Sequence, residues 1–191
     1  MQFDYFIGID VSKDTLDFAL LQANKVLFHQ QESNDKKGIS AFLKVLRQQT
    51  GGGLSGCVFC MEHTGIYNNP LLNLLPALSA SIWVERAVHI KQSLGLSRGK
   101  TDKVDAKRIA LFAYKNRDEV RLWSAPRAVV AQLDLLTAQR GCLVKVIKLL
   151  KTPLTASVGF LSKSDCQAQQ AACAQSLKAL KADLKAANDA I

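Results

Sequence analysis

The sequence predicts an α/β domain, a mixed β-sheet with flanking helices, followed by an α-helical arm. Three observations point there. Three β-rich runs separated by short polar turns fill the first 31 residues. Helical and buried-strand patterns then alternate as far as position 86. Beyond position 126 a seam of mostly apolar residues steps by three and four, the signature of long helices.

Residues 3–9 (FDYFIGI) are apolar and β-rich, and they end at Asp10. Residues 15–21 (TLDFALL) and 25–31 (KVLFHQQ) read as two further strands, with a turn at Ala23-Asn24-Lys25. In 36–48, Ile39, Phe42, Leu43 and Leu46 fall on one helical face. Glycines 51, 52 and 53 break the chain, and a buried-strand pattern at 57–61 then delivers Glu62. Residues 65–78 read as helical despite Pro70, and 81–86 (SIWVER) as a strand. This βββαβαβ order is that of an RNase H-like fold, although doubly wound α/β folds share much of it.

After Pro126 the pattern changes. Val129, Leu133, Leu136, Arg140, Leu143, Ile147 and Leu150 form a heptad seam with one polar member. Thr152-Pro153 is expected to stop that helix, because proline lacks the amide donor and clashes with the preceding turn. Cys173, Leu177, Leu180, Leu184 and Ile191 follow similar spacing. The expectation is two domains, 1–125 and 126–191, the second a helical hairpin or coiled-coil arm; helices that simply cover the sheet are the alternative. The seam runs to Ile191 without a C-cap, which suggests a fragment of a longer protein.

Composition narrows the partners. The formal net charge is +9, yet residues 1–62 hold 6 Lys/Arg against 7 Asp/Glu, whereas positions 86–121 hold 10 against 4. A basic segment beside a neutral domain suits a polyanion such as nucleic acid. No apolar run reaches the length of a membrane span, and the N-terminus lacks the basic and cleavage regions of a signal peptide. A cytoplasmic protein with no membrane partner is expected. Five cysteines without such a leader argue against a disulfide framework. Cys57 and Cys60 match C-x-x-C, but on a strand they point to opposite faces and cannot chelate one ion.

The chemistry lies in the acids. Asp10 and Glu62 each stand where a predicted strand ends. If those strands are parallel neighbours, ~4.8 Å apart, the two carboxylates can share one divalent cation. Asp102 and Asp105 lie three apart in KTDKVDA, on one face of a helix that begins there. Alone, that pair reads as an N-cap and a dipole partner. With Asp10 and Glu62 it could complete a two-ion phosphodiester-cleaving site. Oxygen-only ligands suit Mg²⁺ or Mn²⁺.

Three blocks now carry a resemblance: GIDVSK at 8–13 with Leu16 and Asp17, MEHTGIY at 61–67, and GKTDKVDA at 99–106. In this order and spacing, over roughly 5–125, the sequence resembles the DEDD transposases of the insertion sequence 110 family. That family includes pilin-gene invertases and bridge-RNA-guided recombinases. The resemblance implies a RuvC-like domain with Asp10, Glu62, Asp102 and Asp105 as catalytic metal ligands, then a coiled-coil arm. It implies DNA as partner and a guide RNA in the members that use one; the heptad seams themselves predict a homo-oligomer through the arm. In the family a C-terminal domain supplies a serine nucleophile; no segment here matches it, so no serine is assigned.

Other readings differ in what they require. Residues 95–101 (GLSRGKT) have three residues between the glycines where a P-loop needs four. Arg98, Lys100 and Lys103, with Lys107 and Arg108, are better read as phosphate contacts. Sugar-kinase and actin-like ATPases open with a similar strand but need a second half that is absent. A plain Holliday-junction nuclease and a non-catalytic nucleic-acid scaffold are the remaining alternatives. His63 is expected to point away from the acids, His29 and His89 carry no signal, and Tyr67 and Trp83 are expected in the core.

Overall fold

The computed structural model describes residues 3–94 and 102–191. They divide into two compact units, 1–125 and 126–191.

In the first unit, β1 (Tyr5–Val11), β2 (Thr15–Gln22) and β3 (Lys25–Ser33) form an antiparallel meander. Ala23 and Asn24 both adopt positive φ, as a two-residue hairpin turn requires. Helix α1 (Lys36–Gln49) follows, its first turn capped by Asp35, which accepts from the Gly38 amide at 2.8 Å. Strands β4 (Cys57–Glu62) and β5 (Ser81–Glu85) add in parallel, giving the order β3-β2-β1-β4-β5. Three antiparallel strands extended by two parallel ones are the RNase H-like sheet.

The segment between β4 and β5 is helical but broken. A 3₁₀ turn (Gly65–Asn68) leads into α2 (Asn69–Leu74), which Pro70 enters at its first turn, and a second 3₁₀ turn (Pro76–Leu78) closes it. Helices α3 (Ala87–Leu94) and α4 (Asp102–Lys115) come next. The sequence pattern gave no sign of α3, which is only eight residues long.

Alternation along the strands builds two cores. Ile7, Ile9, Phe18, Phe59 and Met61 pack beneath α1 and α2. Phe6, Ala19, Val58, Cys60 and Trp83 pack on the other face beneath α3 and α4. Helix α4 lies unusually close to β1. Its buried Ala106, Ala110 and Ala113 recur at steps of four and three, so one helical face carries nothing larger than a methyl. That face meets Gly8: a Cβ there would stand 2.1 Å from the Ala106 carbonyl oxygen and 2.2 Å from the Ala110 nitrogen.

The second unit is a pair of helices, α5 (Ala128–Ala156) and α6 (Lys163–Ala190). Leu136, Leu143, Ile147 and Leu150 are at least half-buried, facing Cys173, Leu177, Leu180, Leu184 and Ala187. Val129 and Leu133 are exposed, so the seam is shorter than the sequence pattern, and Ala187 rather than Ile191 completes its far end. The Arg140 Nε donates to Asn188 Oδ1 at 2.7 Å, so the polar seam position bonds across the pair. Pro153 does not stop α5, contrary to expectation. It falls in the last turn, where side-chain hydroxyls add bonds to the backbone: Thr152 Oγ1 donates to Lys148 O and Ser157 Oγ to Pro153 O. Among the described residues no helix is long and apolar enough to cross a membrane.

Candidate active site

Sheet register sets the site. Asp10 lies on the same face of β1 as Phe6 and Gly8, toward α4. Ile9 pairs with Met61 across the parallel β1–β4 ladder, so the next residues, Asp10 and Glu62, stand side by side at the strand ends. Both are half-buried. Asp10 is one residue inside β1 rather than beyond it, because pairing with β2 continues to Val11.

The same row continues outward in both directions. Asp17 on β2 pairs directly with Asp10, Gln31 on β3 pairs with Asp17, and Glu85 on β5 pairs with Glu62. One face of the sheet therefore bears Gln31, Asp17, Asp10, Glu62 and Glu85 in a line. The outer two carboxylates have protein donors. Asp17, only 3% exposed, bonds His29 Nε2 at 2.8 Å and accepts from Gln31 Nε2 at 2.9 Å. Glu85 accepts from the Arg86 amide at 2.8 Å, bonds His89 Nδ1 at 2.9 Å and accepts from the Trp83 indole at 3.2 Å. Burial raises its pKa, but these hydrogen bonds outweigh it and hold the carboxyl below its ordinary value. His29 and His89, which carried no signal in the sequence, thus each hold one end of the row.

The inner two open onto a pocket of about 90 Å³ lined by Asp10, Glu62, Ile90, Lys91, Asp105, Arg108 and Ile109. Asp105 enters from the first turn of α4, one residue before the Ala106 that rests on Gly8. Arg108, a turn later, approaches it to 3.9 Å. Three of the four predicted acids, from two strands and a helix, thus border one pocket. Among the described residues no three His, Cys, Asp or Glu side chains are close enough to grip an ion as they stand. Helix α4 begins at Asp102, as the spacing predicted, but the side chains of Asp102 and Lys103 lie outside what is described. So do Arg98 and Lys100 entirely, along with the loop read against a P-loop. Lys107 is half-buried on α4.

The turn after Glu62 is held by a residue the sequence reading passed over. Asn68, fully buried, donates to the Glu62 carbonyl at 2.9 Å and accepts from the Thr64 amide at 2.7 Å and hydroxyl at 3.0 Å. His63 lines a separate hollow with Val84, Glu85, Arg86 and Ala87. Trp83 is buried as expected. Tyr67 is not: it is 39% exposed on the 3₁₀ turn, whose tight winding turns it outward. Cys57 and Cys60 enter opposite cores. Burial pushes the Cys57 thiol up to about 11 and Cys60 well above its ordinary value, as inert packing thiols require.

Two solved structures of RuvC from Thermus thermophilus, one in complex with a Holliday junction substrate, match with 12% identity. Each match covers 61% of this chain and 98% of theirs, with TM-scores of 0.46 and 0.45. No curated protein matches. A family model described as transposase, that of the DEDD enzymes of insertion sequence 110, matches residues 7–159. The match spans both the acidic pocket and all of α5, and the chain belongs to that transposase family.

Proposed function

We propose that residues 1–125 are the divalent-metal catalytic domain of a DNA transposase or recombinase, which cleaves and rejoins strands during transposition or site-specific inversion. One observation carries this reading: Asp10, Glu62 and Asp105, from three separate elements, border a single pocket at the ends of the parallel strands. Ligands of open α/β sheets bind at such strand ends. The donor set is oxygen only, which fits Mg²⁺ or Mn²⁺ and excludes softer ions. Asp10, Glu62, Asp102 and Asp105 would hold the ions, which when bound stabilise charge on the attacking and leaving oxygens of a phosphodiester. Asp10 and Glu62 are fixed by the ladder, and Asp105 by the seating of α4 on Gly8.

Arg98, Lys100, Lys103, Lys107 and Arg108 are assigned to DNA phosphates beside the pocket. The arm, residues 126–191, is assigned to self-association: Leu135 and Leu149, two heptads apart on α5, are 66 and 74% exposed, and a second copy as a coiled coil would cover them. A serine nucleophile would come from a domain outside residues 1–191, and a guide RNA is a partner to be tested.

Calorimetry with Mn²⁺ tests the metal reading. Binding by the wild-type chain should vanish in Asp10→Asn and Glu62→Gln while both keep their melting transitions. Unchanged Mn²⁺ affinity in both variants refutes the site. DNA affinity should also fall steeply with salt, by about 0.9 log unit per log unit for each phosphate neutralised.

A further inference from the structure

We propose that Lys91 is a further catalytic residue of this site, its ammonium contacting a non-bridging oxygen of the DNA phosphodiester that the pocket receives. The inference rests on the metal-site reading above. The pocket's charge pattern motivates it. A hollow that only held divalent ions would be weakened by fixed cations on its wall, yet Lys91 and Arg108 line it beside the three acids. A hollow that holds an anion against metal ions needs both signs.

The two cations are differently placed. Arg108 shares α4 with Asp105 and approaches it to 3.9 Å, so its charge is divided between that carboxylate and the phosphate assigned to it. Lys91 comes from α3, is exposed, and among the described residues has no ion pair within 4.0 Å although three carboxylates border the same pocket. Its position is nonetheless fixed. Ile90, 3% exposed, anchors α3 in the core under α4, and Glu85 ties down the start of α3 through the Arg86 amide and the His89 ring. Those anchors lie within a turn or so of Lys91. Lysine offers three rotatable donors on a flexible stem, which suits a single phosphate oxygen better than a planar carboxylate partner. An apolar floor of Ile90 and Ile109 lowers the local dielectric and strengthens such a contact.

The test measures equilibrium binding of a short duplex DNA to the 191-residue chain with and without Mn²⁺, alongside Mn²⁺ affinity without DNA. In Mn²⁺, Lys91→Ala should weaken DNA binding roughly ten- to hundred-fold, the range for one charge-assisted hydrogen bond. Lys91→Arg should recover most of it. Without DNA, Lys91→Ala should bind Mn²⁺ as tightly as wild type or more tightly, since a nearby positive charge has been removed. Linkage requires that any tightening of DNA binding by Mn²⁺ equal the tightening of Mn²⁺ binding by DNA, a check on both titrations in each variant. Wild-type DNA affinity in Lys91→Ala, with Mn²⁺ binding intact, overturns this proposal alone. Lost Mn²⁺ affinity in the variant without DNA also overturns it, by making Lys91 a support of the carboxylates. Failure of the wild-type chain to bind Mn²⁺ overturns the metal-site reading and this proposal together.

Discussion

Replacing Gly8 with alanine should separate the two halves of the acidic pocket. The added methyl would lie 2.1 Å from the Ala106 oxygen, 2.2 Å from the Ala110 nitrogen and 2.9 Å from the Ala110 Cα. All three are backbone atoms, so no side chain can swing aside. To reach even 3.0 Å from the Ala106 oxygen, below which real Cβ contacts essentially never fall, α4 must recede by ~0.9 Å. Overpacking of this kind costs about 1–3 kcal/mol, and backbone on one side puts it at the upper end. For a domain of this size that lowers Tm by roughly 10 °C. Asp105 precedes Ala106 on α4 and must move with it, whereas metal sites tolerate errors of only ~0.2 Å. Mn²⁺ affinity should therefore drop at least about tenfold. Thermal melting and Mn²⁺ calorimetry read the two effects. Gly141→Ala is the control: it lies within α5 with nothing inside 4 Å of an added Cβ. There alanine should stabilise by up to about 1 kcal/mol. A Gly8→Ala protein that melts with wild type and binds Mn²⁺ equally well would refute the seating of α4 on β1.

Three other outcomes follow from the site. Mn²⁺ at one hundred times its Kd should stabilise the wild-type chain by ~2.7 kcal/mol and leave Asp10→Asn unmoved; denaturant titration with and without the ion measures both. Glu85 has a folded pKa below its ordinary 4.5, so its contribution is present above that pH and fades as pH falls through the lower folded value. The stability gap between wild type and Glu85→Gln should accordingly close in acid, and a gap constant from pH 7 to pH 3 would contradict the assignment. Asn68→Ala strands the Thr64 amide and the Glu62 carbonyl in a buried turn. Urea unfolding should register a loss of roughly 1–3 kcal/mol.

The strands were legible because both faces of β1, β2 and β4 are apolar and their ends are marked by turns. Asp10 and Glu62 stood out as polar residues closing apolar runs. Asp17 did not, although it sits in the middle of such a run. Nothing local distinguishes an acid facing water from one facing a neighbour, and only the β1–β2 register puts Asp17 opposite Asp10. The same holds for His29 and Gln31, which reach Asp17 from β3 through a ladder that carries a bulge at Leu20/Leu21. Lys91 was invisible because α3 is too short to show a period, and Glu85 because only the β4–β5 register puts it beside Glu62. In the arm, the spacing from Val129 to Leu150 was visible, but where the pairing begins was not: exposed Val129 and Leu133 repeat the pattern without a partner helix beside them. Proline at 153 misled for a different reason: it falls in the last turn, where only three helical residues follow it and little of the ladder remains to be lost.

The row of polar side chains along the sheet ends has a consequence for where an ion would go. Four acids spread evenly over four strands would make a broad trough of negative potential, one in which a divalent cation could slide or settle out of register. Here the outermost two are already neutralised in their hydrogen-bonding capacity, Asp17 by His29 and Gln31, Glu85 by His89, Trp83 and the Arg86 amide. The trough is pinched at both ends. What is left is a well about one strand spacing wide, ~4.8 Å between β1 and β4, with Asp105 set over it by the depth of a single glycine. The histidines thus act as bookends, giving the strongest attraction in the row a single address.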